Sequence, residues 1–460
     1  MSARLLKPLA LLTLAALAQQ AAASGYHFGT QSVTAQGTAN AAAAEADDAS
    51  TLFYNTAGLT KLENHEISVA ANMVLPTIKY SDAAAKYYDG STQVAGSNSG
   101  KITDSTVFAP HVYGAYRLNE RTTLGLGVYV PFGSSTTYRD DSMLRFHLNK
   151  LGLKTIAVEP AVAFKINDKH AVGVGLIAQY AEAKLRKSAD WSSSMPAVPP
   201  ALGGRPAFEA HADVKGKDWA AGFQLSWLYD INERARIGVN YRSHVSHTLR
   251  GTAEWTADGA VAKAQRAAFA ANGYALSEDA QVKIVTPEML SVHGMFQANS
   301  RLKLFADVSW TRHSRFKTAE LKFEHAKATA TTPATGRRSD STTITPNWRN
   351  TFKVGVGGAY QLSEPLQLRA GIAFDQSPVR GADSRLNTLP DGNRIWFSAG
   401  VKYAFNKNHV LDVAYTHVHI NDTEFKGARA SGNDVDSKGE ARAKFNNYAN
   451  IFGVQYSYKF

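Results

Sequence analysis

The residues whose chemistry could support catalysis do not form a recognisable catalytic set. Asp47 and Asp48 are adjacent carboxylates, but neighbouring side chains point apart, so the pair suits salt bridges to a facing wall better than acid–base work. The sequence has no G-x-S-x-G elbow and no Walker-type loop, which leaves Ser/His/Asp catalysis as a formal alternative. We therefore expect no enzyme activity and no cofactor.

Two further motifs could bind a ligand of another kind. His417 and His419 in "THVHIND" share one face of a strand, yet the sequence names no third metal ligand, so we expect no metal. The run "GVGVGG" around Gly355 looks like a nucleotide loop. It lies within a strand pattern, however, where its glycines would face a packed neighbour.

The chain that positions these residues begins with an export signal. Arg4 and Lys7 form a positive region, residues 9–18 are apolar, and "AAA" at 21–23 offers a cleavage site. We predict a signal peptide over residues 1–23 and a mature chain that starts at Ser24.

Composition narrows the class of the mature protein. The 460 residues include no cysteine, so we expect neither disulfides nor a lipid anchor. The net charge of +11 is scattered, with no basic stripe interleaved with aromatic residues. It therefore favours weak attraction to anionic lipid head groups over nucleic-acid binding. Beyond the signal, no run of about eighteen apolar residues occurs.

Alternating apolar residues predict long β-strands. In the C-terminal "NIFGVQYSYKF", one face carries Phe452, Val454, Tyr456, Tyr458 and Phe460. The same period of two recurs at residues 124–130, 221–229, 302–310 and 395–405.

The connections between the strands indicate a barrel in the outer membrane. Short polar turns occur at 117–121, 166–170, 230–234 and 405–409, whereas the linkers at 188–206 and 256–280 are long and irregular. Short turns at one end, long loops at the other and a closed sheet without edges are typical of an all-β, antiparallel transmembrane β-barrel. We count about fourteen strands, with approximate starts at residues 66, 105, 121, 153, 170, 207, 234, 278, 300, 341, 364, 393, 408 and 440.

A barrel of fourteen strands encloses more space than its own side chains can fill, so the lumen must hold something or be an open pore. Residues 24–64 precede the first strand and are small and polar enough to lie inside as a partly helical hatch. Within them, "GTANAAAAEADDAS" predicts a short helix, and Asn55 is a good N-cap for a turn that follows.

The sequence resembles the FadL family of outer-membrane transporters of long-chain fatty acids and hydrocarbons over the whole mature chain. Six segments in order carry the resemblance: "SGYHFGTQSV", "ADDASTLFYNTAGL", "YVPFGSSTTY", "RAGIAFDQSPV", "LPDGNRIWFSAGVKYAFNKN" and "FGVQYSYKF". It implies a fourteen-stranded barrel closed by an N-terminal hatch, so that we divide the chain into the signal peptide at 1–23, a hatch at 24–64 and the barrel at 65–460. The family usually has proline where this chain has Thr56, so the rigidity of the hatch turn is in question.

The resemblance also implies passive uptake of a hydrophobic ligand, with a lateral exit at an inward kink of the third strand. Pro131, Phe132 and Gly133 match that kink, and proline and glycine suit a break in strand pairing. Residues matching the family's gating hatch are Ser24, Asn55, Thr56, Ala57 and Gly58. Residues expected to bind ligand are Tyr26 and Phe28 in the hatch, and Arg186, Lys187 and Lys322 as cationic partners of a carboxylate.

The expected partners are a long-chain fatty acid or an aromatic or aliphatic hydrocarbon, together with outer-membrane lipid and lipopolysaccharide. We expect a monomer in the outer membrane of a Gram-negative bacterium. Two alternatives remain from the sequence: a general hydrophilic porin, which would conduct ions, and an outer-membrane lipid hydrolase, which would have no use for a plug.

Overall fold

The structure is a computed structural model that describes residues 27–102, 106–195, 197–328, 338–430, 435 and 437–460. The predicted signal peptide lies outside the described residues, and so do Ser24 and Tyr26.

Within the described residues, twenty antiparallel segments form one sheet. They are β1 (Glu66–Tyr87), β2 (Gly100–Lys101), β3 (Val107–Arg117), β4 (Thr122–Tyr129), β5 (Gly133–Thr137), β6 (Lys150–Lys165), β7 (His170–Asp190), β8 (Glu209–Asn232), β9 (Ala235–Arg242), β10 (Val245–Ala257), β11 (Ser277–Thr286), β12 (Met289–Gln297), β13 (Leu302–Thr311), β14 (Ala319–Ala328), β15 (Arg338–Ile344), β16 (Thr351–Ser363), β17 (Leu366–Asp375), β18 (Arg394–Ala404), β19 (His409–Gly427) and β20 (Lys438–Lys459).

The segments make a closed barrel of fourteen strands in the described part of the chain. Six strands are interrupted and contribute two segments each: β2 with β3, β4 with β5, β9 with β10, β11 with β12, β13 with β14, and β15 with β16. The barrel closes where β1 pairs with β20, from Glu66 opposite Lys459 to Tyr87 opposite Lys438. The predicted fold class is confirmed, and each predicted start lies within three residues of an observed segment start.

Side chains alternate between the lumen and the outer surface. Phe452, Val454, Tyr456 and Tyr458 of β20 are exposed on the outside, and the residues between them are buried. Short turns join the strands at one end, which faces the periplasm in barrels of this kind, and long loops join them at the other. The helices are short: α1 (Val33–Gln36) and α2 (Thr51–Tyr54) precede the barrel, and α3 (Ala260–Ala264) and α4 (Arg266–Ala271) lie in a long loop. No helix among the described residues is long and apolar enough to cross a membrane.

Residues 27–62, which we call the hatch, fill the lumen near the short-turn end. They are almost entirely buried and pack against glycines of the wall. A Cβ added at Gly173 would lie 2.5 Å from the backbone nitrogen of Ala57, and one at Gly371 would lie 2.3 Å from the carbonyl carbon of Thr38. The wall therefore makes room for the hatch by omitting side chains where the hatch backbone approaches.

The helix predicted over residues 37–50 is wrong. This stretch consists of turns between α1 and α2, and Ala39, Asn40 and Ala46 have positive φ angles of 55°, 66° and 54°. Left-handed backbone at these positions is incompatible with a helix. Contact with the narrow lumen therefore overrides the helix propensity of the alanine run.

Candidate functional site

An ionic cluster fixes the middle of the hatch to the wall. Glu45 accepts from Lys303 Nζ at 3.0 Å and from Arg369 Nη1 at 2.7 Å. Asp47 lies 3.5 Å from Arg369 Nη2 and also contacts Lys402. The predicted salt bridge from the acidic pair to the wall is confirmed for Asp47. Burial acts to raise the pKa of Asp47, but Lys402, Arg369 and Lys303 outweigh it and hold that pKa well below its usual range.

The second anchor is the turn that follows α2. Asn55 caps the 3₁₀ turn Thr56–Lys61 by accepting from the Ala57 amide at 3.1 Å, and its Nδ2 donates to the carbonyl of Trp227 at 3.0 Å. The Ala57 amide also donates to Ser226 Oγ at 2.8 Å. The predicted cap is therefore present and tied to the wall.

Thr56 adds contacts that a proline would lack. Its Oγ1 donates to the carbonyl of Leu52 at 3.1 Å and accepts from Gln224 Nε2 at 2.9 Å. A Cβ on Gly58 would lie 2.3 Å from Thr51 Oγ1, so the turn requires glycine there. Whether these residues move during transport stays a prediction.

Sequence reasoning missed Arg242, which braces the hatch from the lumen wall. Its guanidinium lies 4.4 Å from the centre of the Phe53 ring, donates to the Phe53 carbonyl at 3.3 Å and pairs with Glu159 at 3.1 Å. The alternation of side chains along β9 could have identified it. Arg242 falls on the lumen face of this strand, whereas Ile237 falls on the opposite, exposed face.

The third strand is broken at the predicted kink. The β3–β4 ladder ends at Val112 opposite Val128. Among the described residues, β5 pairs only with β6, and residues 107–111 of β3 pair only with β1. Further from the short-turn end, the Thr137 amide reaches the Ile102 carbonyl at 2.9 Å. The wall between β3 and β5 thus lacks a ladder over a bounded stretch, and the kink contains Pro131 and Phe132 with Gly133 at its end.

The first described residues of the hatch dock on this kink. The Phe28 amide donates to the Pro131 carbonyl at 2.9 Å, and Gln31 Nε2 donates to the Val130 carbonyl at 2.7 Å. His27 forms a β-bridge with Phe132. These bonds satisfy backbone groups that the interrupted ladder leaves without a strand partner.

In residues 27–31, Phe28, Thr30 and Gln31 are buried and His27 is half-buried. Phe28 is fully buried and stacks on His111, with ring centres 6.2 Å apart. Burial lowers the pKa of His27 to about 3, with further lowering by Lys353, Arg242 and Arg394. We call residues 27–31 the docking segment.

A cavity of about 340 Å³ opens at the long-loop end of the lumen. Its apolar lining includes Leu148, Leu185, Val214, Trp255, Leu321, Phe323 and Phe425. Among the described lining residues, five carry a Lys or Arg charge and only Asp383 is acidic; the five are Lys187, Arg385, Lys426, Arg429 and Lys438. Its volume lies in the range of about 300–1,000 Å³ common for small-molecule sites, and its lining suits an apolar ligand with an anionic end.

An apolar cluster connects the cavity with the kink. Leu386 lines the cavity and also packs against a buried cluster of Leu389, Val379, Trp348 and Phe132. Phe132 lies in the kink itself. A cluster of packed, buried apolar side chains therefore connects the cavity with the interrupted strand.

The structure brings one of the three predicted cations to the cavity. Lys187 lines it, whereas Arg186 points to the outer face and binds Asp213 at 2.8 and 2.9 Å. Lys322 is also on the outer face, 3.5 Å from Glu320, because its neighbours Leu321 and Phe323 line the cavity. The prediction that Arg186 and Lys322 meet a ligand there is corrected: they lie on the opposite side of the wall.

Phe28 and the histidines His417 and His419, which the sequence also singled out, do not lie on the cavity. Phe28 lies beside the kink rather than on the cavity, as described above. His417 and His419 are on the outer side of β19, and His417 contacts Asn450 at 2.9 Å. No group of three or more residues suited to hold a metal ion occurs in the part of the chain that the structure describes.

Comparison with known proteins identifies relatives along the whole chain. A family model described as "Outer membrane protein transport protein (OMPP1/FadL/TodX)" matches residues 14–460. An outer membrane protein of Neisseria meningitidis serogroup B is 62% identical over 465 residues, which cover 99% of this chain and 98% of the relative. A long-chain fatty acid transport protein of Escherichia coli O6:H1 is 24% identical over 98% of this chain and 97% of its own length.

The fold is also found among solved structures. The crystal structure of a Pseudomonas aeruginosa FadL homologue superposes with a TM-score of 0.81. It is 23% identical, and the match covers 95% of this chain and all of that one.

Proposed function

This chain belongs to the OMPP1/FadL/TodX family of outer membrane transport proteins, and from that premise we propose that it takes up long-chain fatty acids and releases them sideways at the kink of the third strand. The family consists of transporters of hydrophobic compounds rather than enzymes. The fatty acid and the lateral exit are our proposals.

The observation that carries the proposal is the cluster of buried apolar side chains that connects the cavity, through Leu386, with Phe132 in the kink. Each methylene that leaves water contributes about 0.8 kcal/mol, so an acyl chain that parts these side chains is held among them without a specific contact at each carbon. In the described part of the chain, no ladder joins β3 to β5 at the kink. An acyl chain that leaves there enters the hydrocarbon of the bilayer, so its methylene groups stay out of water.

The docking segment is the gate in this proposal. The hydrogen bonds that attach it to the kink include that from the Phe28 amide to the Pro131 carbonyl, at 2.9 Å, and that from Gln31 Nε2 to the Val130 carbonyl, at 2.7 Å. Displacing residues 27–31 would uncover the kink from the lumen side. The rest of the hatch, anchored through Glu45, Asp47 and Asn55, would stay in place and keep the barrel closed to water and ions.

The excess of cations around the cavity supports an acid as the ligand. A carboxylate binds through charge-assisted hydrogen bonds to Lys or Arg, each contributing about 1.5–3 kcal/mol. Lys187 is the predicted head-group partner that lines the cavity. A second candidate, an uncharged aromatic hydrocarbon, is favoured by the aromatic wall of Trp255, Phe323 and Phe425.

Binding of oleate and of its uncharged methyl ester distinguishes the two candidates. We expect Lys187→Gln to weaken oleate binding about tenfold, since about 1.4 kcal/mol corresponds to a factor of ten, and to leave methyl oleate unchanged. Lys322→Gln is the matched control, because the same substitution there lies on the outer face. If the wild type binds oleate and methyl oleate with equal affinity, the hydrocarbon is favoured as the ligand. If Lys187→Gln and Lys322→Gln lose the same amount of oleate affinity, Lys187 is rejected as the partner of the carboxylate.

A further inference from the structure

The outer surface of the barrel carries a row of charged residues across neighbouring strands. Strand register places Lys154 opposite Glu182, Glu182 opposite Lys217, and Lys217 opposite Arg250. The row continues through Gln281, which is opposite both Arg250 and Lys322. Directly opposite residues of an antiparallel pair share a face, so all of these side chains point away from the lumen.

Lys217 in this row lies immediately beyond the lipid-facing band of the barrel. Trp219 is 60% exposed, and its ring centre is 5.5 Å from that of Tyr180. On the outer face of β8 it follows Lys217 by two residues and precedes the apolar outward positions by two. Ten residues along β8 separate Trp219 from Tyr229 near the short-turn end. At about 3.4 Å per residue and a tilt of about 40°, this is a height of roughly 26 Å, close to the apolar band of about 25 Å in outer-membrane barrels. Trp219 and Tyr180 therefore mark the long-loop boundary of the bilayer.

Three outward-facing cations in this region, Lys217 among them, have no ion pair among the described residues. Lys217 and Arg250 are exposed and directly opposite one another. Arg250 has two diagonal neighbours on the next strand, Lys283 opposite Thr248 and Asp279 opposite Thr252, and no ion pair joins Asp279 to Arg250 among the described residues. Like charges directly opposite one another destabilise a sheet.

The acid in the same row does not relieve this repulsion. Glu182 accepts from Tyr180 OH at 3.0 Å and pairs with Lys184 at 2.9 Å. The three cations Lys217, Arg250 and Lys283, which we call the basic triad, thus form a concentrated positive charge near the long-loop boundary of the bilayer.

We propose that the basic triad binds a phosphate of the phosphorylated glycolipid in the outer leaflet, the lipid A part of lipopolysaccharide. Cross-strand neighbours are about 5 Å apart and diagonal neighbours about 7–8 Å apart, so the three side chains can converge on one phosphate group. Arg and Lys are the side chains that bind phosphate through charge-assisted hydrogen bonds. Trp219, two residues from Lys217 on the outer face of β8, offers a ring for the glycolipid at the boundary, as interfacial aromatic residues do. The site is on the outside of the wall and is independent of the ligand that the lumen carries.

Titration with lipid A tests the proposal. The folded mature protein in detergent micelles is mixed with bisphosphoryl lipid A or with the same lipid after removal of both phosphates, and the bound lipid is counted by native mass spectrometry. We expect the variant Lys217→Gln/Arg250→Gln/Lys283→Gln to bind bisphosphoryl lipid A at least tenfold more weakly than the wild type. The dephosphorylated lipid should bind both proteins equally.

The matched control removes two Lys and one Arg from the short turns at the other end of the barrel, as Lys169→Gln/Arg301→Gln/Lys407→Gln. These residues are exposed and far from the outer leaflet. The control should bind lipid A like the wild type, and oleate binding by both variants verifies their fold. Any one of three results would overturn the proposal. The two variants could lose the same amount of affinity for bisphosphoryl lipid A, or the wild type could bind the two lipids with equal affinity. In the third, an equimolar amount of inorganic phosphate displaces lipid A from the wild type.

Discussion

Replacing Glu45 by glutamine should loosen the hatch and make the barrel conduct ions. Glu45 belongs to the hatch and is 3% exposed at its side chain, and its partner Arg369 in the wall is 1% exposed. Glu45→Gln keeps the shape of the side chain but leaves the guanidinium of Arg369 with Asp47, at 3.5 Å, as its remaining acidic contact in the hatch.

The size of the effect follows from the burial of the pair. Removing one member of a buried ion pair costs about 3–5 kcal/mol, because the other charge is left without compensation. Asp47 compensates part of the charge on Arg369, so the lower end, about 3 kcal/mol, applies here. Since about 1.4 kcal/mol is a factor of ten, the population with a detached hatch should rise roughly 100-fold.

Single-channel recording in a planar bilayer measures that population as brief openings. The wild type should be almost silent, and Glu45→Gln should open roughly 100 times as often. Glu63→Gln is the control, because Glu63 is an exposed carboxylate next to the hatch, without an ion pair among the described residues. A silent Glu45→Gln channel, or openings as frequent in the control, would refute the idea that this cluster holds the hatch.

Two further predictions concern the fit of the hatch and the release of its docking segment. Gly371→Ala places a Cβ 2.3 Å from the backbone of Thr38 and should raise the conductance of the protein in a bilayer. Gly114→Ala is the control, because a Cβ there meets nothing within 4 Å and should leave the conductance unchanged. Equal conductance of the two variants would show that the close contact of Gly371 with the hatch is dispensable. The pKa of His27 is lowered to about 3, so the docked segment binds fewer protons than the released one, and docking should weaken as pH falls from 6.5 towards 3. Hydrogen exchange of the Phe28 amide, corrected for its intrinsic pH dependence, should be less protected at pH 5 than at pH 7.5, and the difference should vanish in His27→Gln; protection that does not change with pH would contradict this.

The barrel was predictable because strand geometry repeats. A period of two over ten or more residues, ended by short polar turns, gives both the number of strands and their starts, and neither depends on long-range detail. The kink was also visible, since proline cannot donate to a ladder and Pro131 stands inside an alternating pattern.

The content of the lumen was harder to predict. The alanine run at 37–50 has high helix propensity, but the wall around Gly357 and Gly371 decides its backbone instead. Arg186 and Lys187 differ by one position, and one position on a strand moves a side chain from the cavity to the outer surface. The sequence places such a residue to within a position or so, which is not enough to decide its face. Asp47 was interpretable as a salt-bridge former, but its partners Arg369 and Lys402 are more than 300 residues away along the chain.

The most direct test of lateral release is uptake of oleate by a protein whose hatch is covalently locked in the lumen. A Cβ placed on Gly355 lies 3.6 Å from the Cβ of Ala41 in the hatch, within the range of about 3.5–4.5 Å for a disulfide. The chain has no cysteine of its own, so Ala41→Cys/Gly355→Cys introduces a single, unambiguous pair. If cargo leaves at the kink and only residues 27–31 move, the oxidised and reduced forms should take up oleate at the same rate. Loss of uptake on oxidation and its recovery on reduction would contradict the account, because it would mean that cargo passes along the barrel axis and displaces the whole hatch.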